Sequence, residues 1–588
     1  MVKIFETTKS LNGNIWDFSS PDERLVEQMA QKNNFSLLLA KILVSRGIDA
    51  DSAAAFIAPK MQNLMPDPYV MKDMQKAAET IANAIIDKKK IAIIGDYDVD
   101  GATSSSLLSL FLQELNVDPM LHIPERDEGY GPSVKAVDDF LAQGAELLIT
   151  VDCGTSAFEV FDYAAEKNLP VIVLDHHEAE ARLPKVLALV NPKRLDEQND
   201  YPYLKYMAAV GVVFMTVVAV NRRLREQNFF AERKAVDLLK WLDLVALGTV
   251  CDVVPLLGLN RAFVKQGLSV IRQCPNLGIS ALAEKVAINE AMTSYHLGYV
   301  LGPRINAGGR VGDSSFGSRL LCCKDKIQAE KLAEELDNFN AQRKEIEAYV
   351  LLQAIEILEG QPQKYPIAFV YGKDWHQGVI GIVAGKLKER YNLPAFVMSI
   401  EDDEVKGSAR SIAGIDLGAL IMAAKEKGIL TKGGGHIMAA GFSLEEDKLE
   451  EFREFVGNYV NETMQTDSLV PVLDVDASID AGAANVALLD ELQLLEPYGA
   501  GNPEPKLMLA NALLKKADIV GAGHLRCFLT SLNSGSVKAM AFRCADSEMG
   551  KALINGVGKT FNFVGVLRRD NWQGRNQAQF IIEDAMEA

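Results

Sequence analysis

Between residues 91 and 174, short apolar runs alternate with longer segments of helical period. IAII (91–94), ELLITV (146–151) and PVIVL (170–174) are apolar at nearly every position, with helix-like SSSLLSLFLQEL (104–115) and 158–167 between them. Strands that are apolar on both faces need cover on both, which predicts a mostly parallel sheet between helix layers. WLDLVALGTV (241–250) is a further apolar element of this region. The uncharged stretch 206–220 is too short to span a bilayer and carries Gly211, so it reads as a buried core helix.

Upstream, 71–90 has amphipathic spacing (Ala77, Ile81, Ala84, Ile85), and 1–69 mixes helix-like segments with Pro59, Pro66 and Pro68. Leu332, Leu336, Phe339, Ile346, Tyr349, Leu352 and Ile355 predict one long helix over 325–360, stopped by Gly360 and Pro362. A second α/β segment follows (367–372, 380–391, 395–400), with two glycine-rich stretches, GSARS (407–411) and KGGGHIMAAG (432–441), read as loops. From 465 the period drops to two, in short runs separated by Gly and Asn, which predicts a small β-barrel. The expected organisation is an N-terminal extension (1–69), a parallel-sheet domain (70–320), a connecting helix (321–360), a smaller α/β domain (361–464) and a barrel (465–588).

The apolar elements end in chemistry. The run 91–94 leads into GDYDVDG, which places Asp96, Asp98 and Asp100 at every second position. The others end in Asp152-Cys153-Gly154, Asp175-His176-His177 and Cys251-Asp252. An Asp-rich turn can sit in solvent, but carboxylates packed together repel unless a cation compensates. Ligands of parallel sheets gather beyond the carboxyl ends of the strands, where these endings converge. Carboxylates with histidine, and no cysteine in ligand spacing, suit Mn²⁺ or Mg²⁺. Two such ions about 3.5–4 Å apart hold a phosphoester, and Asp98, Asp100, Asp152, His176 and Asp252 are enough to ligate them.

Composition sharpens this only in part. A net charge of −18 argues weakly against nucleic acid, yet from Lys506 onward eleven Lys/Arg face seven Asp/Glu. Seven cysteines without CxxC spacing exclude a zinc ribbon or disulfide framework and point to a reducing cytoplasm. Cys153 and Cys251 read as small buried side chains. The opening MVKIFETTKSLNG lacks the order of a secretory signal, and no membrane segment is expected.

DYDVDG, VDCG, DHH and CDVVPL resemble the four motifs of the DHH phosphoesterase superfamily. HIPERDEGYG (122–131), PRINAGGR (303–310), WHQGVIGIVAGKL (375–387), GSARS and GGGH resemble its RecJ branch, the single-strand-specific 5′→3′ DNA exonucleases. The likeness runs from about residue 70 to the C-terminus. It implies an α/β, parallel-sheet DHH domain, joined by the long helix to a smaller α/β DHH-associated domain, plus a C-terminal OB-fold barrel. It implies that Asp152 bridges two ions, Asp98 holds one, and Asp100, His176 and Asp252 hold the other. His177 would face the scissile phosphate and Asp175 orient its neighbours, with Asp96 a further, unassigned ligand candidate. Relatives acting on pyrophosphate or short oligonucleotides typically carry a histidine where this chain has Ile94. That disfavours the pyrophosphatase reading and leaves one ion short of ligands, expected to bind weakly or only with substrate.

For phosphate and DNA, the resemblance nominates Arg304, Asn306, Arg310, Ser408, Arg410, Gly434, Gly435 and His436, then Arg126, Tyr130 and His376 for strand contact, with Trp375 as packing. In the barrel, Lys515, Lys516, Arg568 and Arg569 are candidate backbone contacts, and Phe528, Phe542, Phe561, Phe563 and Trp572 candidate stacking residues. The leading expectation is a cytoplasmic, monomeric, metal-dependent exonuclease that releases mononucleotides from the 5′ end of single-stranded DNA. The resemblance implies a role in recombination and repair, with a single-strand-binding protein and a helicase as partners. Two alternatives stand: a phosphodiesterase of short oligonucleotides or cyclic dinucleotides, and a non-catalytic single-strand-binding scaffold.

Overall fold

The computed structural model describes residues 8–126, 128–273, 276–360, 362, 364–463, 470–531, 535–570 and 576–588. They form two compact units: Lys60–Met464 with Gly499–Gly501, and Met1–Pro59 with Gln465–Tyr498 and Asn502–Ala588. The chain opens in the second of these with β1 (Ile15–Phe18), α1 (Glu23–Asn33) and α2 (Leu37–Ser45). Ser36 caps α2, its hydroxyl accepting from Leu39 N.

The larger unit begins with α3 (Met74–Ile86) and a parallel sheet of order β3-β2-β4-β5-β6. Its strands are β2 (Ile91–Ile94), β3 (Met120–His122), β4 (Leu147–Val151), β5 (Val171–Leu174) and β6 (Ala188–Val190). The connecting helices are α4 (Val99–Glu114), α5 (Val134–Ala142) and α6 (Phe158–Glu166). Alternate side chains go to opposite cores: Ile91 and Ile93 pack with α3, α4 and α7 (Ala209–Glu226), whereas Ala92 and Ile94 pack with α5 and α6. Both faces are covered, which is why these strands read as continuous apolar runs. The run 241–250 is helical, α8 (Leu242–Cys251); buried nearly all round, it has no polar stripe to mark its period.

After α9 (Gly302–Val311), the helix α10 (Lys326–Gly360) runs for 35 residues. Its Leu332 and Leu336 pack in the first core, and its Val350 and Ala354 pack in the core of the second α/β domain. That domain holds β7 (Ala368–Lys373), α11 (Gln377–Tyr391), β8 (Ala395–Glu401), β9 (Glu404–Arg410), β10 (Lys432–His436) and β11 (Ala439–Glu445), in sheet order β10-β11-β9-β8-β7. Both glycine-rich stretches expected as loops are therefore largely strand. Alternation is missing because neighbours fill the space: a Cβ on Gly407 would lie 2.2 Å from the Phe442 ring, and one on Gly435 2.6 Å from Ala440 Cβ.

In the other unit, β12 (Val472–Val475) pairs in parallel with β1. Then β14 (Leu507–Val520), β15 (His524–Thr530), β16 (Ser536–Ala541), β18 (Gln577–Glu587) and β17 (Thr560–Asp570) close into a five-stranded barrel, with β13 (Ala477–Ile479) added along β14. The N-terminal residues are divided: Met1–Pro59 belong with the barrel, and the chain from Lys60 belongs to the larger unit. Met29, Leu39 and Leu43 share one core with Leu495, Leu507 and Leu514. The fully buried Asp584 carboxylate accepts from Trp16 Nε1 at 2.9 Å and Asn14 Nδ2 at 2.8 Å. Asp584→Ala removes an acceptor shared by two ends of the sequence, and should cost this unit about 3 kcal/mol in a urea melt. A loss below about 1 kcal/mol would show that the tie is not structural.

The barrel corrects part of the stacking expectation. Phe561 and Phe563 are fully buried in its core, because inward positions of a small barrel must fill it, whereas Phe528 and Phe542 are 37% and 55% exposed. Trp572 lies outside the described residues. Lys515 is exposed, Lys516 pairs with Asp518, Arg568 with Glu504 and Arg569 with Asp490. Among the described residues, no helix is long and apolar enough to cross a membrane.

Candidate metal centre

Each candidate ligand is placed by a strand or helix end. Asp98 caps α4 by accepting from Gly101 N at 3.0 Å. Gly101 cannot be larger, since its Cβ would lie 2.4 Å from the Asp96 carbonyl oxygen. Asp100, in the first turn, accepts from Ala209 N (2.6 Å) and Val210 N (2.9 Å), the free amides that open α7. Asp152 follows β4 with φ 60, in the left-handed region, and its carbonyl accepts from the Tyr130 hydroxyl at 3.0 Å. Asp252 ends α8 and precedes Val253, also at φ 60 and 70% exposed. Left-handed backbone at a β-branched residue is strained, and such strain clusters at functional sites.

These ends bring the side chains together. His176 Nε2 lies 3.3 Å from Asp152 Oδ1, 3.6 Å from Asp252 Oδ2 and 3.7 Å from Asp100 Oδ2. Three groups each offer ligand atoms within 4.8 Å of one another: Asp96–Asp98–Asp152, Asp100–His176–Asp252 and Asp152–His176–His177. Asp152 and His176 each belong to two of these groups, and Asp96 gathers with Asp98. Asp175 stands behind them: it accepts from Thr155 N (3.0 Å), His176 N (2.7 Å) and His177 Nδ1 (2.8 Å).

The electrostatics are those of an uncompensated anion cluster. Burial, then the neighbouring Asp98, pushes Asp96 up to about 8 and Asp100 up to about 7. Burial, then Asp100 and Asp98, pushes Asp252 up to about 9, and Asp152 is driven well above the carboxylate range. Burial, then His177, brings His176 down to about 3, so it presents a neutral imidazole. For His177, burial is outweighed by the hydrogen bond and charge of Asp175, and it is raised. Asp96 Oδ1, Asp152 Oδ1 and Asp252 Oδ2 are buried without hydrogen-bond partners among the described residues. Oxygen-rich donors with a neutral imidazole and unpartnered oxygens fit a hard divalent cation.

A cationic pocket adjoins the cluster. Arg126 stacks over the Tyr97 ring at 4.2 Å and donates to Gly309 O. Arg310 donates to Gly378 O at 2.9 Å, and Arg410 to Ser408 Oγ at 3.2 Å. His376 caps α11, its Nδ1 accepting from Gly378 N at 3.0 Å. None of these arginines has a carboxylate partner within 4 Å among the described residues. Burial brings Arg310 down to about 10 and lowers Arg410 too. Half-buried Arg310 and Arg410 and exposed Arg126, without carboxylate partners among the described residues and beside a helix N-terminus, suit a phosphate.

Other candidates are placed differently. Arg304 is committed to Asp337 at 2.8 Å, on α10. Asn306 is half-buried one turn before Arg310, and Gly434, Gly435 and His436 stand exposed on the edge strand β10. Trp375 is buried and donates to Gln353, as a packing residue does. One contributor went unread in the sequence. Asn191, fully buried after β6, donates to His177 O (2.8 Å) and Thr155 Oγ1 (2.9 Å). Its only sequence signal is its place at a fifth strand end.

Comparison with known proteins accords with this geometry. Residues 90–249 match the DHH family, N-terminal domain, 363–462 the DHHA1 domain and 475–584 the RecJ OB domain. The chain is 34% identical over 578 residues to the single-stranded-DNA-specific exonuclease RecJ of Bacillus subtilis (strain 168), covering 97% of this chain and 70% of that protein. It is 37% identical over 515 residues to that of Escherichia coli (strain K12), covering 85% and 87%. The crystal structure of RecJ in complex with Mn²⁺ from Thermus thermophilus superposes with a TM-score of 0.81 at 27% identity, over 97% of this chain and 79% of that one. The corresponding Mg²⁺ complex gives 0.75 at 26% identity, over 97% and 78%.

Proposed function

Because the chain belongs to the RecJ family of nucleases, we propose that it hydrolyses single-stranded DNA from the 5′ end and releases mononucleotides. The observation that carries this reading is the pairing of a carboxylate cluster, three of whose buried oxygens lack hydrogen-bond partners among the described residues, with arginines that lack acidic partners there. Asp98 and Asp152, with Asp96, would hold one Mn²⁺ or Mg²⁺, and Asp100, Asp152, His176 and Asp252 the other. Bound there, such ions acidify a water and neutralise charge on the scissile phosphate.

The chain's own residues do the rest. His177, whose protonated form Asp175 favours, faces that phosphate as a hydrogen-bond donor, beside the Tyr130 hydroxyl 3.1 Å from its ring. Arg126, Arg310 and Arg410 take a terminal 5′-phosphate, so the bond at the metals lies one nucleotide in. A strand so held is cut from its end. Exposed Phe528, Phe542 and Lys515 contact the strand on the barrel. With this reading go a cytoplasmic, monomeric enzyme of recombination and repair, and a single-strand-binding protein and a helicase as its partners.

Arg310→Ala and Arg410→Ala should each raise KM for a 5′-phosphorylated oligonucleotide by ~10–100-fold, as loss of a charge-assisted hydrogen bond of about 1.5–3 kcal/mol implies. A 5′-hydroxyl strand should be hardly affected. Steady-state kinetics on the two substrates decide it, since equal losses on both would remove the terminal-phosphate role.

A further inference from the structure

We infer that Lys193 is a DNA-binding residue of the cleavage site, a cation on the side of the metal centre away from the arginine pocket, where it takes a phosphate of the bound strand. This rests on the reading of the site as one that cleaves DNA.

Lys193 is built into the site rather than appended to it. It follows β6, the edge strand of the parallel sheet, through Asn191-Pro192. The buried Asn191 side chain ties three segments together: it donates to His177 O and Thr155 Oγ1, and its Oδ1 accepts from Lys193 N at 2.8 Å. Thr155 N in turn donates to Asp175 Oδ2 at 3.0 Å. The backbone of Lys193 is thus fixed to the loop that carries both histidines, and Pro192 restricts it further.

The side chain stays near the cluster. Only 27% of it is exposed, and its ammonium lies 3.3 Å from Glu178 Oε1. Arg126 follows β3, beside β2 with its Asp96 and Asp98, and its guanidinium meets Gly309, next to Arg310, whereas Lys193 follows β6, beside β5 with its His176, at the opposite edge of the sheet. The cations therefore divide between the two groups of candidate ligands. A strand crossing the centre meets arginines at the Asp96–Asp98 group and Lys193 at the Asp100–His176–Asp252 group. Glu178 is 66% exposed, and an ion pair that open to solvent is weak, so a phosphate can displace it. A lysine is a flexible point charge, suited to a backbone that advances after each cut and is held without regard to sequence.

The test is Lys193→Ala and Lys193→Arg in the full-length protein, using oligo(dT) with Mn²⁺. Lys193→Ala should raise KM about tenfold with kcat within threefold, and lower the salt slope of single-strand binding by about 0.7, the contribution of one phosphate contact. Lys193→Arg should restore both, and Mn²⁺ affinity by calorimetry should be unchanged. An unaltered KM and salt slope in Lys193→Ala would overturn the inference. So would altered Mn²⁺ binding with the slope intact, since the lysine would then act on the ligands alone. If the unsubstituted protein fails to cleave oligo(dT), the functional reading itself fails, a result distinct from both.

Discussion

Asp152→Asn should lower hydrolysis of single-stranded DNA by at least ~10⁴-fold, a loss of about 5.5 kcal/mol of transition-state stabilisation. Asp152 belongs to two of the three candidate ligand groups and lies 3.3 Å from His176, so in the proposed mechanism its charge would serve both ions at once. The substitution is conservative everywhere else. Asparagine tolerates the left-handed backbone at φ 60, where alanine would be strained. Without metal the variant should melt higher than the parent, because burial and the neighbouring aspartates disfavour an ionised carboxylate there and a neutral amide escapes that cost. The rise in melting temperature on adding Mn²⁺ should shrink. Activity assays and thermal melts with Mn²⁺ or EDTA read both effects. Residual activity within tenfold of the parent would remove Asp152 from the mechanism, and the non-catalytic scaffold reading requires that no metal-dependent cleavage occur at all.

Stripping divalent metal should abolish activity and also reverse how stability responds to pH. Asp96, Asp100 and Asp252 titrate at about 8, 7 and 9 in the folded protein, against about 4 in an unfolded chain. A carboxyl raised in this way contributes stability at low pH that is lost as pH climbs through its folded value. In EDTA the larger unit should therefore become less stable from pH 6 to pH 9. Mn²⁺ held by the ionised carboxylates would gain affinity over the same range and offset the loss. At a hundredfold excess over its dissociation constant it adds about 2.7 kcal/mol. Calorimetric melts at the two pH values, with and without Mn²⁺, test this; rising stability with pH in EDTA would contradict the electrostatic account.

The DHH sheet and the side chains gathered at its edge were legible because β2, β4 and β5 are buried on both faces and lead into charged groups at one edge, so period and chemistry coincide at Asp152 and Asp175. The glycine-rich strands were not, since Gly407 and Gly435 stand where Phe442 and Ala440 take up the space of a side chain, and the alternation that announces a strand is absent. The N-terminal segment read as an extension because the partner of Trp16, Asp584, lies 568 residues away. Asn191 carries no local pattern; its role arises only when β6 docks beside β5 and brings it to His177. The phosphate candidates separated for a similar reason. Arg310 and Arg304 share α9, yet Asp337 on α10 claims Arg304 and leaves Arg310 unpaired.

The most direct measurement is a time course with Mn²⁺ on one oligonucleotide, labelled at its 5′ end in one reaction and at its 3′ end in another, with a duplex and a circular single strand as controls. The 5′ label should appear at once as mononucleotide, the 3′-labelled strand should shorten gradually, and duplex and circle should survive. Early internal fragments, cleavage of the circle, or first release of the 3′ label would contradict the proposed function.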